Sequence, residues 1–400
     1  MKNNLVIYLL ILFISGNLLA INVWQQKATL PAEGRHRATA FSIGKKGYMG
    51  LGHTNADSYS DIWEFDPVTN TWTQKADFGG GKRYHAVAFT IENKAYVGSG
   101  RYSGFYTDFW EYDPTTNVWT EISNIPGDPR AGAAAFVIND IGYVGSGDAA
   151  VEQNKFYSYN PITNTWDTIA EFPGNPRNTG VAFSVDGKGY LGTGNGSYGS
   201  GKDFWEYKPS ADQWVQRANV GPTIREGATG FALNGRGYIL TGNNFGTGID
   251  FRDVWEYNPG TDIWTQIEDF PGSKRRFMVS MVIENRAYVG TGTNGINFND
   301  FWCFDQVLSV INRYNKLIKV DVYPVPAKTQ VRISLSDAPQ GMENKELKIV
   351  IVNESGKMIF VNPFTNREIV FKRKQLASGI YFFVILYKDQ KIKSGKFIFQ

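Results

Sequence analysis

Few residues in this 400-residue chain have the chemistry for a reaction or for a specific polar contact. The three histidines, His36, His53 and His85, all fall within the first hundred residues. His36 is followed by Arg37, and His85 is preceded by Tyr84. Imidazole, phenol and guanidinium side by side suit recognition of a polar or anionic ligand, and with a carboxylate they would suit proton transfer. No spacing in the sequence singles out such an acid–base pair, so no catalytic residue is assigned. Loop carboxylates such as Asp57 and Asp250 make the weaker case for a metal, and neither a metal nor a cofactor is expected. The single cysteine, Cys303, rules out an internal disulfide. A net charge of only +3 gives no nucleic-acid signature.

The elements that would carry these residues are written as a repeat. Trp24, Trp72, Trp119, Trp166, Trp214 and Trp264 are spaced by 48, 47, 47, 48 and 50 residues. Eleven residues after each stands an arginine: Arg35, Arg83, Arg130, Arg177, Arg225 and Arg275. A further aromatic recurs at Trp63, Trp110, Tyr157, Trp205, Trp255 and Trp302, inside stretches such as "DFWEYDPTTNVW". All 11 tryptophans are thereby used. Each period holds four strand-like runs. The first pair is joined by tight turns such as Asn234–Gly235, the second by an Asp-Pro-x-Thr-Asn turn. Four antiparallel strands per period of about 48 residues describe a propeller blade.

The arginine before the inner strand, the Gly-containing end of the second, "WEYDP" in the third and tryptophan in the fourth resemble kelch repeats over residues 22–305. One difference is consistent: this chain ends its second strand Gly-x-Gly, where kelch blades carry adjacent glycines. The resemblance implies a six-bladed β-propeller. "NVWQQ" at Asn22–Gln26 is expected to supply the outer strand of blade six, joining the two ends of the ring. Some kelch propellers are copper radical oxidases with a Tyr–Cys crosslink and two histidines at the axis. Cys303 falls in a third strand, away from the axis, which argues against that chemistry here.

Two further segments concern export. "MKNNLVIYLLILFISGNLLA" has a basic start, an apolar run and a small residue at Ala20, the layout of a signal peptide cleaved there. From residue 320 the repeat is gone, and 13 Lys and Arg stand against 7 Asp and Glu. Residues 21–319 carry 27 against 31. After a linker at 306–319, residues 320–400 alternate apolar and polar residues in short strands, as in a small immunoglobulin-like β-sandwich. "YPVPA" with Tyr323, Pro324 and Pro326, "GIY" with Gly379 and Tyr381, and the terminal "GKFIF" resemble the C-terminal sorting domain of the type IX secretion system of Bacteroidetes. That resemblance implies the type IX machinery as a partner and an extracellular or outer-membrane-surface location.

A residue type held in every blade is expected to build the scaffold, and function to break the symmetry. The six arginines are a candidate cationic ring, unless each pairs with Asp61, Asp108, Asp203, Asp253 or Asp300. Blade three has Lys155 at that position, which leaves Arg130 the freest. The loops between second and third strands would gather Tyr59, Tyr102, Tyr106, Tyr198 and Phe245 on one face, near His36, Arg37, Tyr84 and His85. Exposed rings amid Gly, Asn and Ser form a recognition composition, though the same rings are also suited to packing over blade edges. The expectation is an all-β, exported, monomeric binding protein for a glycan or protein ligand. The alternative is a carbohydrate-modifying enzyme, such as a sugar isomerase, on the same scaffold.

Overall fold

The computed structural model describes residues 21–149, 151, 153–197, 199–307, 319–336, 347–353, 358–364, 367–373, 376–387 and 390–400. The signal segment with Ala20, most of the linker, and Tyr198 lie outside the described residues. The chain divides into two compact units, Asn22–Asp305 and a second one beginning at Gln306.

The first unit is six four-stranded sheets. Blade one runs Thr39–Ile43, Lys46–Gly50, Ile62–Asp66 and Thr71–Lys75, each strand pairing with the next. Blade six takes Val279–Ile283, Arg286–Gly290 and Phe301–Val307, and strand Ile21–Lys27 completes it. Trp24 there packs on Phe270 and Phe304, at 5.3 and 4.9 Å between ring centroids. The first strands of successive blades pack side by side, blade six against blade one, so the ring is closed.

Alternation within the first strand decides what each side chain does. In Thr39–Ile43, as in its five counterparts, the first, third and fifth residues are buried and the second and fourth less so. Phe41 stacks on Tyr48 of the neighbouring strand at 5.1 Å, and Phe89, Phe136, Phe183 and Phe231 repeat that pair. Small residues such as Ala40, Ala88, Ala135 and Ala182 are left facing the axis, around a cavity of about 210 Å³.

Polar repeats tie one blade to the next. The last residue of the Asp-Pro-x-Thr-Asn turn accepts a backbone N–H from the preceding blade: Asn70 from Ala28, Asn117 from Ala76, Asn164 from Ser123. Beside it the fourth-strand indole donates back, Trp72 to the carbonyl of Ala28 and Trp119 to that of Ala76. The Gly-x-Gly spacing also has a cause. The second glycine adopts φ of 84–97° in all six blades, a region open mainly to glycine. Its N–H donates to the carbonyl of the next blade's repeated arginine, six bonds of 2.7–3.0 Å that include Gly292 to Arg35.

Those arginines are not a cationic ring. Arg35, Arg83, Arg225 and Arg275 are fully buried and Arg177 nearly so, each bonded to its blade's aspartate, as in Arg83 to Asp108 at 2.7 and 2.9 Å. The same aspartate accepts from the third-strand indole, Trp110 to Asp108 at 2.8 Å. Among the described residues Arg130 meets no carboxylate, yet it is no freer. It is 0% exposed and donates to the carbonyls of Asp128, Ser146 and Lys155, with its guanidinium near the Tyr157 ring. Burial holds its pKa below the usual arginine range.

The second unit contains a three-stranded sheet (Lys319–Tyr323, Gln330–Ser336, Glu368–Lys372) and a four-stranded one (Met358–Pro363, Leu347–Asn353, Gly379–Tyr387, Gln390–Phe399). They share one apolar core that includes Val331, Ile333, Ile349, Phe383 and Phe397. Tyr381 is buried there and donates to the carbonyl of Ala377, while Tyr323, Pro324 and Pro326 are exposed.

Candidate functional site

One residue beyond each buried arginine, the chain reaches the mouth of the ring. His36, Tyr84, Ala131, Asn178, Glu226 and Arg276 form backbone bridges with His53, Arg101, Asp148, Asn195, Asn243 and Thr293, the residues that follow Gly-x-Gly or, in blade five, Leu-Thr-Gly. The next position holds Arg37, His85, Gly132, Thr179, Gly227 and Phe277, all left-handed with φ of 53–61°. From this position one blade donates an N–H to the carbonyl of the preceding one: His85 to Arg37, Gly132 to His85, Thr179 to Gly132, Phe277 to Gly227 and Arg37 to Phe277, at 2.6–3.3 Å. Glycine fits this backbone without strain, and blades three and five use it. Side chains at the other four positions are held against a conformational penalty.

Above this girdle lies a cavity of about 310 Å³ on the loop face, within the range of small-ligand sites. Blades one and two line it with Arg37, Tyr84, His85 and Arg101, and blades three and four with Asp148, Asn178, Thr179 and Asn195. Glu226 and Phe245 face it from blade five and Phe277 from blade six.

Arg37 organises one wall. Its Nη1 donates to Nε2 of His36 at 2.8 Å and to Nε2 of His53 at 3.0 Å, and its guanidinium lies 4.1 Å over Phe277. Both imidazoles accept at Nε2 and are therefore neutral, and His36 then donates from Nδ1 to Asn297 at 2.9 Å. Burial, then the neighbouring His53 and Arg37, pulls His36 down to about 3. Burial and Arg37 pull His53 to about 4, and burial drives His85 well below the usual histidine range. Tyr84 stacks on His53 at 4.2 Å, and Arg101 rests over Phe105 at 4.8 Å. Across the cavity, burial raises the Glu226 carboxyl above the ordinary glutamate value, against the pull of Arg37 and Arg276. Arg276 is neutralised by Asp250 at 2.8 Å. Among the described residues no carboxylate bonds to Arg37 or Arg101.

Of the residues singled out in the sequence, Arg37, Tyr84, His85 and Phe245 line this cavity and His36 buttresses it. Tyr59 and Tyr106 are occupied elsewhere: their rings lie 4.1 and 4.3 Å from Arg35 and Arg83, and Tyr59 donates to Glu33. They cap the buried arginines, which is the packing role open to such rings. Arg130 is removed from any solvent-facing site by its complete burial. Tyr102 is half exposed on the blade-two loop. Asp57 pairs with Lys82. Cys303 stands opposite Tyr288 in the blade-six sheet, where glutamates accept from the equivalent tyrosines of blades one, two, four and five. Burial pushes its thiol up.

Arg101, Asn178, Asn195 and Glu226 escaped the sequence reading. The signal for all four is positional: each follows a repeated arginine or the glycine that ends the second strand, positions whose residue varies around the ring.

Comparison with known proteins agrees with this architecture. Residues 17–147 match the family model of a KLHDC2/KLHL20/DRC7 Kelch-repeats domain. Residues 321–400 match that of a secretion system C-terminal sorting domain. The chain thus combines a kelch-repeat β-propeller with a type IX sorting domain. No curated protein matches it. A solved chain titled "Structure of YjhT" is similar in fold, with 20% identity, a TM-score of 0.60 and coverage of 69% of this chain and 96% of that one.

Proposed function

We propose that this exported protein is a binding protein whose propeller receives the end of a glycan in the axial cavity. Export, with surface attachment or secretion, follows from the sorting domain. The observation that carries the binding reading is the contrast around the ring. Positions that build blades repeat, whereas the residues at the mouth vary around the ring and present guanidinium, imidazole, phenol, amide and carboxylate groups to one space. Amides and carboxylates meet sugar hydroxyls, and rings such as Tyr84 and Phe245 meet sugar faces.

The test is a glycan array with the full chain beside an Asn178→Ala, Asn195→Ala double variant. Saturable binding lost in the variant supports the reading. No binding by folded protein sends the search to protein ligands. A second reading, a sugar isomerase, is favoured by the raised Glu226 carboxyl facing Arg37. Interconversion of a bound sugar, abolished by Glu226→Gln, would establish it.

A further inference from the structure

The two arginines of the cavity point to the kind of sugar, an inference that rests on the binding reading above. Of the six arginines of the repeat and Arg276, six bond to an aspartate, and Arg130, sealed away from the cavity, bonds to backbone carbonyls with its Nη2 left unpartnered. Arg37 and Arg101 differ. Arg37 is partly buried, and the groups its guanidinium bonds to are neutral imidazoles. Among the described residues the Arg101 side chain meets the rings of Tyr84 and Phe105 and bonds to no carboxylate. Both line one cavity and their charges repel across it. Glu226 and Asp148 share the cavity, but among the described residues neither bonds to these guanidiniums, and the Glu226 carboxyl is itself raised by burial. A cation left without a direct anionic partner is unfavourable unless something else supplies the negative charge. Arg37 is also kept at a left-handed position where glycine serves blades three and five, so its side chain is retained despite the strain.

Histidine cannot substitute as the cation. His36, His53 and His85 are held neutral by burial and by Arg37 itself, so the wall carries its charge on guanidinium alone. On the far side Glu226, with Asn178 and Asn195 of blade four, offers acceptors to hydroxyl donors. A ligand that satisfies both walls carries an acid at one end and hydroxyls at the other. We infer that the axial cavity selects a carboxylated sugar of the uronic-acid type, its carboxylate set between Arg37 and Arg101 and its hydroxyls directed to Glu226 and the asparagines. Guanidinium suits this task because its planar fork matches a carboxylate.

The experiment is calorimetric titration of the full chain with glucuronic and galacturonic acids, their methyl esters, the parent neutral sugars, and lactate. The acids are expected to bind at least tenfold more tightly than their esters. Arg101→Gln, a change at a side chain with no hydrogen bond to the protein, should lose most of that preference without a change in Tm. Arg37→Gln should lose it too, with circular dichroism checking its fold. Equal binding of acid and ester would overturn the charge inference and leave the glycan reading standing. Lactate as tight as the uronates would uphold the anion site and remove the sugar. A folded protein that binds none of them would sink both.

Discussion

Arg83 and its neighbour in sequence, Tyr84, belong to different parts of the molecule's economy, and the same split recurs in every blade. The arginine is buried, bonded to Asp108 and repeated six times. The residue after it stands at the mouth of the ring and is His, Tyr, Ala, Asn, Glu or Arg; in blades two to five it lines the axial cavity. A single step along the chain separates scaffold from site. The rigid member fixes the position of the variable one, because its carbonyl is clamped by the preceding blade's glycine. Sixfold geometry is therefore preserved while the chemistry around the mouth is free to differ.

The contrast can be broken at its foundation first. Starting the chain at Leu30 removes the strand that completes blade six, with Trp24. Loss of a packed aromatic side chain such as the partly buried Trp24, together with a whole strand of pairing, costs at least about 3 kcal/mol, so the propeller's Tm should fall by about 10 °C or more. An unchanged Tm would mean the ring does not need that strand. Next, Asp108→Ala strands Arg83 without its counter-ion and should cost about 3–5 kcal/mol, read by chemical denaturation. Blade three sharpens the point. It lacks the aspartate already, so Lys155→Ala should change stability by less than about 0.5 kcal/mol, and a loss as large as that of Asp108→Ala would refute the pairing argument.

Acid offers a third, smaller test. The folded pKa of His36 lies near 3 and that of His53 near 4, below the ordinary 6.5. A base with a depressed folded pKa contributes stability that is full above pH 6.5 and lost as the pH falls through the folded value. The Tm should therefore decline progressively from pH 6.5 towards pH 4, and His36→Gln should flatten the decline; parallel curves would deny the histidines that role. The smallest effect is expected at Tyr102. Tyr102→Ala should leave stability within about 0.5 kcal/mol and binding within threefold, and a larger loss of affinity would move the site outward from the axis to the loops.

Periodicity made the blades legible, because a residue with the same job in each copy recurs at the same spacing. Trp72, Asp108 and Gly292 could all be read that way. The site was legible in part for the opposite reason. His36, Arg37, Tyr84 and His85 stood out as unusual residues near a repeated landmark, whereas Glu226 and Asn178 are common residue types and only their place in the ring marks them. Tyr59 and Tyr106 misled because a loop aromatic looks the same in sequence whether it faces solvent or caps a guanidinium. Arg130 misled because losing its aspartate suggested freedom, when burial and backbone carbonyls hold it in place even with its Nη2 unpartnered.

The strand Ile21–Lys27 and its partner Phe301–Val307 are joined only across nearly the whole length of the propeller. Bringing them together means closing one very long loop, and that entropy is lost before the contact returns any energy. Five blades can zip up from local hairpins, but the sixth waits for both ends of the ring to meet. Until then blade six shows an open edge, a template for pairing with another chain. For an exported protein, any interval before that closing step is one in which aggregation would compete with folding.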